Sequence, residues 1–115
     1  MTTPQDRERL RTVAAQYADI ANSDAMNARR EVWRRSNRLE ERTVPFQIED
    51  NGTFFDELTP NPQCEGAFER GLEHGMLQAI TNYELIDDDR VFPPYCGVNW
   101  VISRPSVCPD LKITR

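Results

Sequence analysis

Apolar residues recur at three- and four-residue steps through the first part of the chain, at Leu10, Val13, Ala14, Tyr17 and Ile20 or Ala21. That spacing lays one narrow stripe along a helix. Thr3 followed by Pro4 supplies a start signal, because Thr caps free backbone N–H groups and Pro fits the first helical position. The pattern predicts a first helix from Pro4 to about Ala21. Asn22-Ser23-Asp24 breaks it and caps a second helix, from about Asp24 to Leu39 or Glu41. The apolar side of this second helix carries Ala25, Met26, Ala28, Val32, Trp33 and Leu39. Its other side carries Arg29, Arg30, Arg34, Arg35 and Arg38. So short a joint allows a hairpin or an L.

The period then changes. Thr43 to Glu49 alternates loosely through Val44, Phe46 and Ile48, which reads as a strand, and Pro45 puts it at an edge or a strand start. Asp50-Asn51-Gly52 is a turn. Phe54, Phe55 and Leu58 fall in a loop or a single helical turn. A third helix is expected from Cys64 or Glu65 to about Glu84, with Ala67, Phe68, Leu72, Met76, Leu77, Ile80 and Tyr83 as its apolar positions. Gly66, Gly71 and Gly75 weaken it, and the last two share a face open to close backbone approach. Pro93-Pro94 stops the chain before Val98-Asn99-Trp100-Val101-Ile102, a strand with apolar residues on both faces. Lys112-Ile113-Thr114-Arg115 reads as a further element beginning. The expected fold class is therefore α+β, mainly α, with three helices and two or three short strands. Residues 1–115 form one unit, with a helical pair over 1–42, a strand and loop over 43–62, and a long helix, acidic turn and strand over 63–115.

Composition makes the core thin. Hydrophobic residues are 38% of the chain, against about 45–50% in soluble domains when Gly is counted too. The net charge of −5 argues against a general nucleic-acid binder. Residues 1–42 hold nine Arg against seven acids, and residues 43–115 hold five basic residues against twelve acids, so +2 faces −7. Three cysteines, Cys64, Cys96 and Cys108, form no Cys-x-x-Cys pair. They indicate neither a disulfide framework nor a zinc ribbon, and free thiols fit a reducing cytoplasm. No run approaches the roughly 18 apolar residues of a membrane span.

Candidate chemistry is sparse. His74 is the lone histidine, and no motif gives it a catalytic partner. An independent enzyme would have to draw on Glu73, His74 and Asp56. Asp87-Asp88-Asp89 lacks the alternating ligands of a calcium loop and reads as a structural turn paired with Arg90 or an arginine of the second helix. Glu65, Glu69 and Glu73 make a carboxylate row at four-residue spacing, read as a solvated face or a surface for the arginine-rich helix. No catalytic, cofactor-binding or metal-ligating residue is assigned.

Three stretches carry a resemblance. They are Tyr17-Ala18-Asp19-Ile20-Ala21-Asn22-Ser23 with Arg29-Arg30-Glu31-Val32-Trp33, then Cys64-Glu65 through Phe68-Glu69-Arg70, then Asp87-Asp88-Asp89-Arg90-Val91-Phe92-Pro93-Pro94-Tyr95. In order and spacing they resemble the N-terminal region of uroporphyrinogen decarboxylase-like proteins of anaerobic bacteria, relatives of cobalamin-dependent methyltransferases. The resemblance implies a (β/α)8 barrel beyond Arg115, with the reaction centre on its loop face. It also implies zinc and a corrinoid protein for the parent family. The His-x-Cys zinc motif of the methyltransferase relatives is missing here, since Gly75 and Met76 follow His74.

The sequence therefore suggests a cytoplasmic, non-catalytic N-terminal region that packs on a barrel or supports oligomer contacts. Trp33, Phe68, Leu72, Met76 and Trp100 are the candidate interface residues. The expected partner is the barrel or a second copy of the chain, with no nucleic acid and no membrane. The alternative is a free-standing homodimeric interaction module.

Overall fold

The computed structural model describes residues 2–40, 44–50 and 54–97. Helix α1 spans Pro4–Ala21, α2 Asp24–Asn37, α3 Phe54–Leu58 and α4 Ala67–Leu85. The predicted start signals act as expected. Thr3 Oγ1 accepts from Asp6 N at 3.1 Å, and Ser23 Oγ accepts from Met26 N at 3.2 Å. Each cap satisfies a backbone donor that the first helical turn leaves without a partner. α3 uses a carboxylate instead, with Asp50 Oδ2 accepting from Phe55 N at 3.0 Å.

α2 ends at Asn37, short of the expected Leu39 or Glu41. Leu39 takes φ 58°, in the left-handed region. Its N–H reaches Ser36 O and the Glu40 N–H reaches Arg35 O, both at 3.0 Å. This is the Schellman closure, which usually places Gly where Leu39 stands.

α1 packs along α4. Val13, Met76, Leu77 and Ile80 form the core between them, flanked by Leu10, Tyr17 and Ile20. Burying each large apolar side chain contributes roughly 1.5–3 kcal/mol, so this seam supplies the main cohesion of the described fold. A smaller apolar contact joins α2 to the segment after α4. Met26 is fully buried, and its Sδ accepts from Phe92 N at 3.4 Å. The Phe92 ring meets Tyr17 edge-on, with centroids 6.4 Å apart.

Polar bonds do the rest of the work on that segment. Tyr17 donates its hydroxyl to Pro93 O at 2.7 Å, and Trp33 Nε1 donates to Asp89 O at 2.7 Å. Arg29 Nη1 reaches Arg90 O at 2.9 Å, and Arg30 Nη2 reaches Phe92 O at 3.0 Å. Arg29 and Arg30 of α2 thus grip the carbonyl oxygens of Arg90 and Phe92. Guanidinium forks suit that task because they offer several fixed donors.

The α+β expectation is corrected. The described residues are 62% helical and contain no strand. Residues 44–50 take up no regular secondary structure, and their backbone bonds to the bend at Asp88 and the residues after it. Phe46 N donates to Asp89 Oδ2 at 3.0 Å, and Ile48 N donates to Asp88 Oδ2 at 2.9 Å. In return Asp89 N reaches Phe46 O, and Arg90 Nη2 reaches Ile48 O. Alternating hydrophobicity reports an extended chain with two unlike sides; it says nothing about whether the lateral partner is a strand. The expected strand Val98–Ile102 and the element at Lys112 lie outside the described residues.

Candidate functional site

Buried carboxylates organise the N-terminal end of the α1–α4 pair. Gly66 caps α4 and has no side chain to offer. Asp6 of α1 instead holds the two residues that lead into the helix, its two oxygens accepting from Glu65 N and Gly66 N at 2.9 Å each. Glu73 of α4 is fully buried. Its Oε2 accepts from Gln63 N and Cys64 N at 2.8 Å, and its Oε1 from Arg9 Nε at 2.7 Å. Glu69 takes the Thr2 hydroxyl at 2.6 Å. A Cβ on Gly66 would collide with the Glu69 carboxylate and approach Asp6 Oδ2 to 3.4 Å.

These bonds set the protonation states. Burial alone would raise the pKa of Glu73, but the Cys64 and Gln63 N–H groups and the Arg9 guanidinium outweigh it and hold the pKa near about 2. Asp6 is lowered by the N–H groups of Gly66 and then Glu65. Glu69 is lowered by the Thr2 hydroxyl. Cys64 moves the other way: burial, then the neighbouring Glu73 carboxylate, push its thiol up to about 11. A thiol so far from ionisation is not a nucleophile at neutral pH.

The carboxylate row is therefore not a solvated face. Glu73 and Glu69 are buried, and Glu65 alone is exposed. The missed signal is positional, since residue 73 lies three, four and seven places from Met76, Leu77 and Ile80, on the core stripe. The acidic turn behaves as expected. Asp88 is buried, with Arg29 Nη1 at 3.9 Å and Arg90 Nε at 4.0 Å.

Of the three residues an enzyme would need, two come together. His74 Nε2 lies 3.2 Å from Asp56 Oδ1 on the surface, and Gln78 Nε2 reaches the same oxygen at 3.5 Å. Glu73 bonds Arg9 and the 63–64 backbone instead, and no described hydroxyl or thiol hydrogen-bonds the His74–Asp56 pair. Nucleophilic catalysis needs such a contact. Among the described residues, no group of three His, Cys, Asp or Glu side chains could hold a metal ion.

The candidate interface residues separate. Phe68 is 64% exposed, Leu72 is half-buried, and Met76 is spent in the core. Trp33 is half-buried and tied to the acidic turn, while Trp100 lies outside the described residues. A stronger feature appears elsewhere. Val44, Phe46, Ile48, Phe54 and Leu58 are all exposed, Val44 by 79% and Leu58, the least open, by 40%. The first three belong to the stretch from Thr43 to Glu49 whose alternation predicts a strand. Gly71 and Gly75 face open space, and a Cβ on either meets nothing within 4 Å. The close approach that their spacing allows is not made among the described residues.

No described helix is long and apolar enough to cross a membrane. No family model, curated protein or solved structure matches the chain.

Proposed function

We propose that this chain is a non-catalytic packing and oligomerisation region that lays the apolar side chains of residues 44–58 against another folded surface. The observation that carries this reading is a set of exposed apolar side chains on a backbone that hydrogen bonds pin in place. Residues 46 and 48 are pinned through main-chain N–H and C=O groups to residues 88–90. Their side chains, with Val44, take no part in that pairing and stay open to water. A surface held in its binding geometry loses little conformational entropy on docking.

The three sequence stretches that resemble uroporphyrinogen decarboxylase-like proteins support a barrel domain as the partner surface. A second reading, a homodimer, draws on the charge division between residues 1–42 and 43–115. Sedimentation velocity over rising concentration tests both. The proposal expects concentration-dependent association of the chain that Phe46→Ser with Ile48→Ser reduces. Association that ignores those substitutions but disappears at high salt supports the charge-paired dimer. A strictly monomeric chain at every concentration contradicts an oligomerisation role.

A further inference from the structure

An open cavity of about 410 Å³ lies between α1 and α4. None of its lining residues belongs to the 44–58 surface, so binding there does not depend on the packing role. Leu10 and Ala14 of α1 and Leu72 and Met76 of α4 give it an aliphatic lining. Leu10 and Leu72 are half-buried and Ala14 is exposed, so this lining is within reach of a ligand. Arg7 and Arg11 line the same cavity from α1 and are exposed. Spacings of three, four and seven put Arg7, Leu10, Arg11 and Ala14 on one face of the helix.

Among the described residues, Arg7 and Arg11 are the two arginines whose side chains make neither a hydrogen bond nor an ion pair. Every other described arginine is engaged: Arg9 holds Glu73, and those of α2 and of residues 70 and 90 hold carboxylates, carbonyl oxygens or Asn27. Two like charges four residues apart repel mildly, and an anion between them removes the repulsion. A guanidinium fork matches a carboxylate in particular. The described lining holds no carboxylate that would oppose such an anion, and no aromatic ring for a flat body to stack on. Aliphatic walls with an adaptable methionine suit an alkyl chain. The volume lies at the small end of the range for small-molecule sites, which suits a chain of medium length.

We infer that this cavity binds a medium-chain alkyl carboxylate, its chain against Leu10, Ala14, Leu72 and Met76 and its head group at Arg7 and Arg11.

Decanoate, kept below its micelle concentration, is the probe. Decyltrimethylammonium carries the same chain with the opposite charge, and acetate carries the charge without the chain. Binding to the 115-residue chain is read from amide NMR shifts at Ala14 and Leu72. A second readout is the rate at which iodoacetamide labels Cys96, which is exposed and lines the cavity. The proposal expects saturable shifts and slowed Cys96 labelling with decanoate, and binding weaker by about tenfold or more for the other two. Arg7→Gln with Arg11→Gln should keep the helical signal and weaken decanoate about tenfold, with no loss for decyltrimethylammonium. Ala14→Trp fills the cavity from an exposed position and should abolish decanoate binding. Phe46→Ser with Ile48→Ser should leave it unchanged. The inference falls if decanoate gives no saturable shift, or if the cation binds as well as decanoate does. It falls equally if the double arginine variant binds decanoate like the parent, or if binding survives Ala14→Trp. Loss of binding in the Phe46, Ile48 variant places the probe on the packing surface and also overturns it. Should a variant fail to fold, the three-probe comparison on the parent chain decides.

Discussion

Glu73 shows how much one side chain can hold. It is a fully buried carboxylate that closes a loop from α4 and ties α1 to the same point. Its folded pKa of about 2 lies below the ordinary 4.5. Its contribution to stability is therefore complete above pH 4.5 and is lost as pH falls toward 2. Glu73→Gln should lower stability at neutral pH by about 2 kcal/mol, through weakened bonds to two buried N–H groups and Arg9. The variant should also lose less stability than the parent between pH 4.5 and 2; urea melts across that interval measure both effects. Cys64 gives a second test. With its thiol at about 11 and buried, iodoacetamide at neutral pH should label exposed Cys96 and leave Cys64 unlabelled until the chain unfolds, as peptide mapping would show. The sequence displayed the Glu65, Glu69, Glu73 spacing clearly. It hid that Glu69 and Glu73 turn inward, because a carboxylate is expected in water unless donors converge on it, and those of Glu73 are the backbone N–H groups of Gln63 and Cys64 and the distant side chain of Arg9.

At the level of elements, the helices were legible and their surroundings were not. Thr3-Pro4 and Ser23 announced the starts of α1 and α2, because capping is chemistry between near neighbours. The end of α2 was misplaced because Leu39 adopts a conformation that its own side chain disfavours. Leu39→Gly should relieve that strain and raise stability by about 1 kcal/mol in thermal melts. The three glycines around α4 should respond in opposite senses. Gly71→Ala and Gly75→Ala meet open space and should each stabilise the helix by up to about 1 kcal/mol. Gly66→Ala must displace the Glu69 carboxylate from Thr2 and crowd Asp6; it should destabilise by about 1 kcal/mol or more. Circular-dichroism melts of the three variants separate these outcomes. The strand expected over Thr43–Glu49 is absent from its described part, residues 44–49. Period-2 alternation was visible, but its lateral partners are Asp88 and Asp89, and no local pattern ties those residues to Phe46 and Ile48.

For the molecule as a whole, the described core is small, and polar bonds carry much of the architecture. Among the described residues eight hydrophobic ones are buried, one of them Ala21, and nine large ones are exposed, five of them between residues 44 and 58. Scattered apolar side chains on a surface are ordinary, whereas a group concentrated on one segment is what the proposed packing role would bury. The sequence foresaw a thin core from its 38% hydrophobic content. It looked for the uncovered surface on the long helix and the final strand, and among the described residues the largest number of exposed large apolar side chains falls between Val44 and Leu58 instead. The measurement that bears most directly on this claim is the fluorescence of a hydrophobic dye with the chain held well below its unfolding transition. The folded parent should bind the dye, and Phe46→Ser with Ile48→Ser should remove most of the signal while leaving the melting temperature within a few degrees. A folded parent that leaves the dye dark would contradict the account.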